Sequence, residues 1–258
     1  IGKSTLLLSI CMKIAASGRK CVYIAAEESA SQIRMRADRL SPKGLPAEFY
    51  LCETSDLPAA LKLSAGAAVV VVDSIQTVRV PTLRSISGSV LQIRESVFRI
   101  QETAKLSDAA GSAFILVGHI TKGGEIAVPK ILEHMVATVL SFEGDRRMGL
   151  RFLRSQKNRF GSTEEIGVFD MTGTGLEEVS DPGALFRSST DSALPGVAIS
   201  SLVEGSRAFM VEIQALTQEV NLAMPRRVAT GVDARRLLSI LAVLEKRAGL
   251  SLGQYDIH

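Results

Sequence analysis

The sequence has few cysteines, no long apolar run and little net charge, and each of these shortages excludes a class of protein. Its three cysteines are scattered and include no CxxC pair, so they offer no zinc site and are typical of a reducing cytosol. The longest apolar run covers only residues 67–72, which is far too short to span a membrane. We therefore expect a cytoplasmic protein without a membrane partner, and 46% hydrophobic residues supply its core.

The net charge is only +3, so any nucleic-acid surface must come from local clusters of basic residues rather than from bulk charge. Residues 146–159 form one such cluster, with six basic side chains and no acidic one. A cluster of this kind is either a DNA or subunit surface or an ordinary solvated strand face, and the sequence alone leaves both open.

Alternating helical and strand patterns between residues 2 and 118 predict an α/β fold with a parallel sheet covered by helices. The predicted strands are short and apolar, and continuous apolar runs such as 68–72 are typical of parallel strands buried on both faces. Strands are expected at 21–26, 49–52, 68–72 and 113–117. One helix is expected to end at residue 17, a second to follow Ser29 or Ser31, and two more to cover 57–63 and 90–109.

After residue 119 the pattern changes to strands separated by turn signals, at 136–142, 149–155 and 166–170, which predict an antiparallel extension of the sheet. A polar stretch rich in Pro, Gly and Ser is expected to link this core, residues 1–180, to a second α+β domain. The linker covers 181–195 and the second domain 196–258, with paired strands at 196–203 and 208–217 and a helix at 233–248 capped by Asp233. Because no initiator Met and no strand precede the first helix, we interpret the sequence as an internal piece of a longer protein.

The first residues match the end of a phosphate-binding loop. Gly2, Lys3, Ser4 and Thr5 fill the last four positions of the pattern G-x-x-x-x-G-K-[ST], and an apolar run at helical spacing follows them. Backbone N–H groups at a helix N-terminus bind phosphate, Lys3 would reach the β/γ-phosphates, and the Ser4 hydroxyl would ligate Mg²⁺. On its own the tetrapeptide is equally compatible with a helix start capped by Ser or Thr.

Polar side chains directly follow three of the predicted parallel strands, and the carboxyl ends of such strands form the edge where ligands bind. Asp73 is placed to hold Mg²⁺, and either Glu27 or Glu28 is placed to deprotonate an attacking water. His119 is placed to contact a γ-phosphate. Taken singly, each is more often a polar residue at a strand end; their succession after the phosphate-loop residues predicts nucleotide binding.

Four segments of the sequence resemble one known family. They are Tyr-Ile-Ala-Ala-Glu-Glu-Ser at 23–29, Val-Val-Asp-Ser-Ile-Gln-Thr at 71–77, Gly-His-Ile-Thr-Lys at 118–122 and, most specific of all, Lys-Asn-Arg-Phe-Gly (KNRFG) at 157–161. In these segments the chain resembles the bacterial RadA (Sms) DNA-repair family, of which KNRFG is a hallmark. The resemblance implies a RecA-like P-loop ATPase core followed by the beginning of a Lon-protease-like domain. It implies zinc only in an N-terminal region that this sequence lacks.

The function implied by the resemblance is that of a DNA-dependent ATPase of the helicase or branch-migration type. Such a protein is an ATP- and Mg²⁺-dependent motor that forms a ring, expected to be a hexamer, on single-stranded DNA. It processes or extends recombination intermediates together with RecA. The Lon-like part is expected to be a non-proteolytic scaffold.

The resemblance also implies roles for individual residues. Asp73 takes the Walker B role, and Glu27 stands where RecA-like ATPases place the general base, which makes Glu28 the second choice. His119 would sense the γ-phosphate. Lys157 and Arg159 would reach the nucleotide of the neighbouring subunit, where a cation supplied in trans stabilises phosphoryl transfer. Without the resemblance, these two cations would be interpreted as solvated charges at a strand end.

Two glycine-containing connections are candidates for DNA contact. Arg79 and Arg84 lie in the first, at 79–89, and Lys122 and Lys130 lie in the second, at 122–130. Neither connection has an aromatic residue for base stacking, so we expect contacts to phosphates, tolerant of sequence and sensitive to salt.

Two other functions compete with the DNA motor. A Lon-type ATP-linked peptidase needs a Ser nucleophile paired with a Lys base, and Lys246, on a predicted helix, is the only lysine after Lys157. A signalling ATPase of the RecA superfamily has the same expected fold, and only the KNRFG motif argues against it.

Overall fold

The computed structural model describes residues 2–42, 44–106, 111–119, 128–144, 149–179, 195–204, 207–220 and 224–258. The chain divides into two compact units, Ile1–Ser180 and Asp181–His258. Residues 181–194 of the predicted linker lie outside the described residues. Among the helices that the structure describes, none combines the length and the apolar character needed to cross a membrane.

The first unit contains a four-stranded parallel sheet with the strand order β2-β1-β3-β4. Its strands are β1 (Cys21–Ala25), β2 (Phe49–Glu53), β3 (Val69–Asp73) and β4 (Ala113–Leu116). Every residue of β1 and β3 is buried, as the continuous apolar runs predict for central strands. The apolar run at 113–117 likewise predicts a buried strand, but β4 is only partly buried, because among the described strands it pairs with β3 alone and forms an edge.

Helices cover both faces of this sheet, and local sequence explains where they begin. They are α1 (Lys3–Ala16), α2 (Ala30–Leu40), α3 (Leu57–Leu63) and α4 (Val90–Leu106). Ser29 starts α2 with a capping box that includes Gln32, and Asp56 caps α3 by accepting from the N–H of Ala59. Alternate residues of β1 pack on opposite faces, Val22 against α3 and α4 and Cys21 against α1 and α2.

The antiparallel part of the first unit follows a helix that the sequence did not predict, α5 (Val128–Met135). Its strands are β5 (Thr138–Gly144), β6 (Arg151–Asn158), β7 (Ile166–Thr172) and β8 (Gly175–Glu178), in that order. Three predicted strands are confirmed. They form a separate sheet, however, rather than an extension of the parallel one, because alternation along a strand identifies its faces but not its partner.

The second unit contains two antiparallel strand pairs and one helix. The strands β9 (Val197–Glu204) and β10 (Arg207–Gln214) form the predicted pair, and β11 (Thr217–Glu219) pairs with β12 (Tyr255–Ile257). Asp233 caps the predicted helix α6 (Ala234–Ala248) by accepting from the N–H of Arg236. A short 3-10 helix, Leu252–Gln254, precedes β12. The predicted strand 208–217 is therefore two strands, β10 and β11.

Candidate nucleotide-binding site

The carboxyl ends of β1, β3 and β4 meet at one edge of the parallel sheet. Ala25 pairs with Asp73 across β1 and β3, which brings the residues after β1 beside Asp73. One oxygen or nitrogen atom from each of Glu27, Asp73 and His119 lies within 4.8 Å of the others. The structure thus brings together three of the residues that the sequence singled out.

The backbone conformation at the start of α1 favours glycine at position 2. Gly2 is the N-cap residue with a φ of 107°, a left-handed conformation that side chains other than hydrogen disfavour. A Cβ at this position would lie 2.9 Å from Cε of Met171, the end of a flexible side chain that can move aside. Ser4 and Thr5 lie inside the helix, so the alternative in which one of them caps it is wrong. The first N–H groups of α1 have no side-chain cap, which suits an anion.

Lys3 reaches across from α1 to the end of β4. Its ammonium donates to the carbonyl oxygen of Gly118 at 2.6 Å. Burial lowers the pKa of Lys3, while the nearby carboxylates of Asp73 and Glu27 act in the opposite direction. The ammonium therefore lies at the same sheet edge as the two acids, where a phosphate would supply it with a further counter-charge.

Asp73 is buried, and its carboxylate is oriented by Tyr23 of β1. The Tyr23 hydroxyl donates to Oδ2 of Asp73 at 2.5 Å. Burial, and then the charge of Asp73, raises the pKa of Tyr23, so the phenol keeps the proton that it donates; a hydrogen bond with Ser4 opposes this shift. Ser4, Tyr23 and Asp73 form one polar chain beneath the start of α1.

Glu27 and His119 are the open members of the site. Oε2 of Glu27 lies 3.3 Å from Nε2 of His119, and both side chains are 47% exposed. The carbonyl oxygen of His119 accepts from Nε2 of Gln76 at 3.0 Å, which fixes the backbone behind the imidazole. Glu27 therefore has an accessible carboxylate, and a base acting on water requires such access. The neighbouring carboxylate, on Asp73, is buried.

Glu28 is engaged elsewhere. Nη2 of Arg36 in α2 donates a hydrogen bond to Oε1 of Glu28 at 3.0 Å, and Nη1 lies 2.8 Å from Oε2 in an ionic contact. This hydrogen bonding raises the pKa of Arg36 above its ordinary value. Of the two neighbouring acids, Glu27 is the one that lies beside His119.

The donor atoms of the site suit Mg²⁺. A hydroxyl on Ser4 and a carboxylate on Asp73 are hard oxygen ligands, the type that Mg²⁺ prefers. The buried carboxylate is held by a hydrogen bond from Tyr23, as ligating carboxylates commonly are. On this chemistry the residues present fit Mg²⁺ with a nucleotide.

The KNRFG motif lies at the end of β6 and in the turn after it. The Lys157 ammonium donates to the carbonyls of Glu133, at 2.5 Å, and Val136, at 2.9 Å, at the C-terminal end of α5. Asn158 shapes the turn by accepting from the N–H of Phe160 at 3.0 Å. Arg159 is exposed at the surface. The structure therefore separates the motif's two cations, with Lys157 on a helix end and Arg159 in solvent.

The predicted DNA-contacting residues have different positions. Arg79 and Arg84 are exposed in the connection between β3 and α4. Lys122 lies outside the described residues, and Lys130 lies in α5, although its side chain is outside them too. The placement of Lys130 in a glycine-containing connection was wrong, because α5 begins at Val128 and accommodates a proline in its first turn.

The basic cluster at residues 146–159 was predicted to be either a DNA or subunit surface or a solvated strand face, and the structure describes residues 149–159 of it. Arg151 donates to the carbonyls of Gly149 and Leu150, and the Arg154 guanidinium lies 5.7 Å from the centre of the Phe152 ring. Residues 145–148 lie outside the described residues.

Sequence reasoning missed three residues that shape the site. They are Tyr23, which orients Asp73, Arg36, which holds Glu28, and Gln76, which holds the His119 carbonyl. A tyrosine in an otherwise apolar, buried strand was a usable signal, since a buried hydroxyl needs a partner. Nothing in the helical pattern of α2 distinguishes Arg36 from its neighbours.

Comparison with known proteins gives the same family along the whole chain. The chain is 44% identical over 259 residues to the DNA repair protein RadA of Bacillus subtilis, covering 100% of this chain and 56% of that protein. It is 45% identical over 260 residues to the RadA of Pseudomonas aeruginosa, again covering 100% of this chain and 56% of the relative. A scan against protein-family models found no match.

Comparison with solved structures supports the fold. The crystal structure of the RadB recombinase matches with a TM-score of 0.51 and 22% identity, covering 69% of this chain and 86% of that one. The RecA-like α/β class expected from the sequence is thereby confirmed, whereas the Lon-protease-like second domain stays a prediction. The chain spans about half the length of the curated relatives it matches. On its similarity to them over its whole length, it belongs to the RadA family.

Proposed function

We propose that this chain carries the ATP-hydrolysing core of a DNA-dependent ATPase in recombinational DNA repair. The observation that supports this most is the convergence, at one sheet edge, of the start of α1, Lys3, buried Asp73, open Glu27 and His119. The relatives are named as DNA repair proteins, which gives the site its biological setting. Three free cysteines, of which Cys11 and Cys21 are buried, are in keeping with a cytoplasmic location.

The side chains divide the work of hydrolysis between them. Lys3 and the uncapped N–H groups of α1 bind the β- and γ-phosphates of ATP, and Ser4 and Asp73 hold Mg²⁺. When bound, Mg²⁺ neutralises charge that develops on the phosphate oxygens. Glu27 orients the attacking water and accepts its proton, and His119, 3.3 Å from Glu27, contacts the γ-phosphate.

The neighbouring subunit is proposed to complete the site. Arg159 is exposed at the end of β6, where it can reach the nucleotide of an adjoining protomer in a ring, which we propose to be a hexamer. The same role for Lys157 requires its ammonium to leave the carbonyls of Glu133 and Val136. We therefore assign the larger part of the trans effect to Arg159.

The proposed motor acts on single-stranded DNA and extends recombination intermediates by branch migration together with RecA. Exposed Arg79 and Arg84 lie in the connection after the Asp73 strand, so a movement at the nucleotide site has a short path to DNA. Lys122 and Lys130 are proposed to add phosphate contacts. Binding through such contacts is sensitive to salt and tolerant of sequence.

The test is ATP hydrolysis by the protein expressed from its complete gene, with and without single-stranded DNA. Lys3→Ala should abolish hydrolysis and nucleotide binding, whereas Glu27→Gln should keep binding and lose turnover by roughly 100-fold or more. Lys13→Ala, in the last turn of the same helix, and Glu245→Gln, on exposed α6, are the matched controls. A Glu27→Gln protein that hydrolyses ATP at the parental rate would show that this carboxylate is not the base.

A further inference from the structure

We propose that Arg36 is a positioning residue for ATP hydrolysis: by holding Glu28 away from the reacting phosphate, it leaves Glu27 as the acid that acts on water. This inference rests on the proposed ATPase function and deepens it. Two adjacent glutamates follow β1, and chemistry alone does not distinguish them, since both carry the same carboxylate. The structure distinguishes them through their contacts.

Arg36 contacts both carboxylate oxygens of Glu28. Nη2 of Arg36 donates a hydrogen bond to Oε1 of Glu28 at 3.0 Å, and Nη1 lies 2.8 Å from Oε2 as an ionic contact without hydrogen-bond geometry. Together the two contacts restrain the direction of the carboxylate. The Arg36 and Glu28 side chains are only 23% and 34% exposed. Within the described part of the chain, Nη1 of Arg36 and Oε2 of Glu28 are buried and make no hydrogen bond, so each is compensated by their ionic contact. Breaking the pair would therefore leave a charge in poorly hydrated surroundings.

The segment that carries the two glutamates is tied at both ends. At its start the N–H of Ala26 donates to the carbonyl of Asp73 at 2.8 Å. At its end the N–H of Ala30 donates to Oε2 of Glu53 at 2.8 Å, while the Ser29 capping box begins α2. Between these ties, the direction of the Glu28 side chain is fixed by Arg36. With Glu28 held, Glu27 lies beside His119.

Arg36 also reduces the negative charge at the proposed nucleotide site. Glu27, Glu28 and Asp73 are three acids at the edge where we propose that polyanionic ATP binds, and Lys3 offsets one of them. Arg36 neutralises Glu28, so the nucleotide meets one negative charge fewer. Without Arg36, a freed Glu28 would repel the phosphates and compete with Glu27 for the water.

The experiment measures kcat and KM for ATP in variants of the protein expressed from its complete gene. Arg36→Gln should lower kcat roughly 10- to 100-fold, as expected when a catalytic group is displaced by about 1 Å. Arg36→Lys, which keeps the charge but has only one nitrogen to contact the two oxygens, should fall between the parental protein and Arg36→Gln. Arg34→Gln is the control, since it removes an exposed i,i+4 pair with Asp38 from the same helix and should change neither constant.

Double variants separate positioning from simple loss of an ion pair. Adding Glu28→Gln to Arg36→Gln removes the freed acid and should restore kcat by several-fold. Adding Arg36→Gln to Glu27→Gln frees Glu28 to replace the missing base and should raise kcat above that of Glu27→Gln alone. Thermal unfolding of every variant shows whether a lower kcat is caused by a smaller fraction of folded protein.

The outcomes separate this role from the proposed function. An Arg36→Gln protein that is less stable but has parental kcat per folded molecule would overturn the positioning role and leave the ATPase intact. If Glu28→Gln lowers kcat as much as Glu27→Gln does, the positioning role is also overturned and the ATPase function stands, because Glu28 would then be the base. A parental protein that does not hydrolyse ATP would overturn the proposed function, and the role of Arg36 with it.

Discussion

Tyr23 of β1 donates a hydrogen bond of 2.5 Å to Oδ2 of Asp73 at the end of the adjacent strand β3. Both residues are buried, Tyr23 completely and Asp73 to all but 5% of its surface. A charged carboxylate in such surroundings needs a partner, and this phenol fixes its orientation as well. The bond links the sheet core to the acid that we propose for Mg²⁺.

Tyr23→Phe should therefore weaken both folding and Mg²⁺ binding. Leaving an oxygen of Asp73 without this donor should lower the free energy of unfolding by about 1–3 kcal/mol, measured by denaturant titration. The Mg²⁺ concentration that gives half-maximal ATP hydrolysis should rise, because the ligand is no longer held. Tyr50→Phe is the control, since the Tyr50 side chain in β2 is exposed. Unchanged Mg²⁺ dependence in Tyr23→Phe would contradict the orienting role.

Gly2→Ala tests whether the conformation at the start of α1 is required. A methyl group there is strained by the left-handed φ of 107°, which the first turn relieves only by shifting, whereas the end of the flexible Met171 side chain, 2.9 Å away, can move aside. We expect ATP affinity, measured by calorimetry, to fall at least tenfold. Gly18→Ala is the matched control, because Gly18 also has a positive φ but open space around its Cβ position. It should lower stability by about 1 kcal/mol and leave ATP affinity unchanged.

Much of the fold could be predicted from the sequence, because its signals are local. Continuous apolar runs mark β1 and β3, and Ser29 and Asp233 mark the starts of α2 and α6. What the sequence could not provide was the partner of each strand. The antiparallel strands were expected to extend the parallel sheet but form their own, since pairing depends on contacts between distant residues.

The site could be predicted in part for the same reason. Asp73 ends β3, and Glu27 and His119 follow β1 and β4. Because parallel strands bring their carboxyl ends together, the proximity of these residues could be predicted from the fold alone. The supporting residues Tyr23 and Arg36 were not predicted. The role of Tyr23 depends on its side chain meeting Asp73, which is 50 residues away in the sequence. The role of Arg36 depends on which face of α2 carries its side chain.

The buried thiol of Cys11 makes stability depend on alkaline pH. Burial raises the pKa of Cys11 from 9.0 to about 12. Between these values the unfolded chain loses the thiol proton while the folded chain keeps it, so stability present below pH 9 is lost as the pH rises towards 12. Cys11→Ala should flatten this decline in the free energy of unfolding between pH 8 and about 11. If the free energy of unfolding declines as steeply in Cys11→Ala as in the parental protein, the decline is caused by groups other than Cys11.

The proposed trans role of Arg159 can be tested by mixing subunits. Arg159→Ala should reduce ATP hydrolysis by up to roughly a thousandfold, as for arginine fingers generally, and should spare nucleotide binding within one subunit. Rings of Lys3→Ala alone should be inactive as well, because they lack the phosphate-binding cation. In a ring that contains both variants, an intact Lys3 can face an intact Arg159 across a boundary. Steady-state ATP hydrolysis should therefore recover in part on mixing.

The control mixture combines Lys3→Ala subunits with subunits that carry both substitutions. No boundary in such a ring unites an intact Lys3 with an intact Arg159, so hydrolysis should stay at the level of Lys3→Ala alone. Subunit exchange is followed independently by energy transfer between labelled protomers. If exchange is complete and the first mixture still shows no recovery, Arg159 does not act across the boundary. Its exposed position at the end of β6 would then fit a contact with DNA phosphates, and Arg159→Ala should instead weaken DNA binding in a salt-dependent manner.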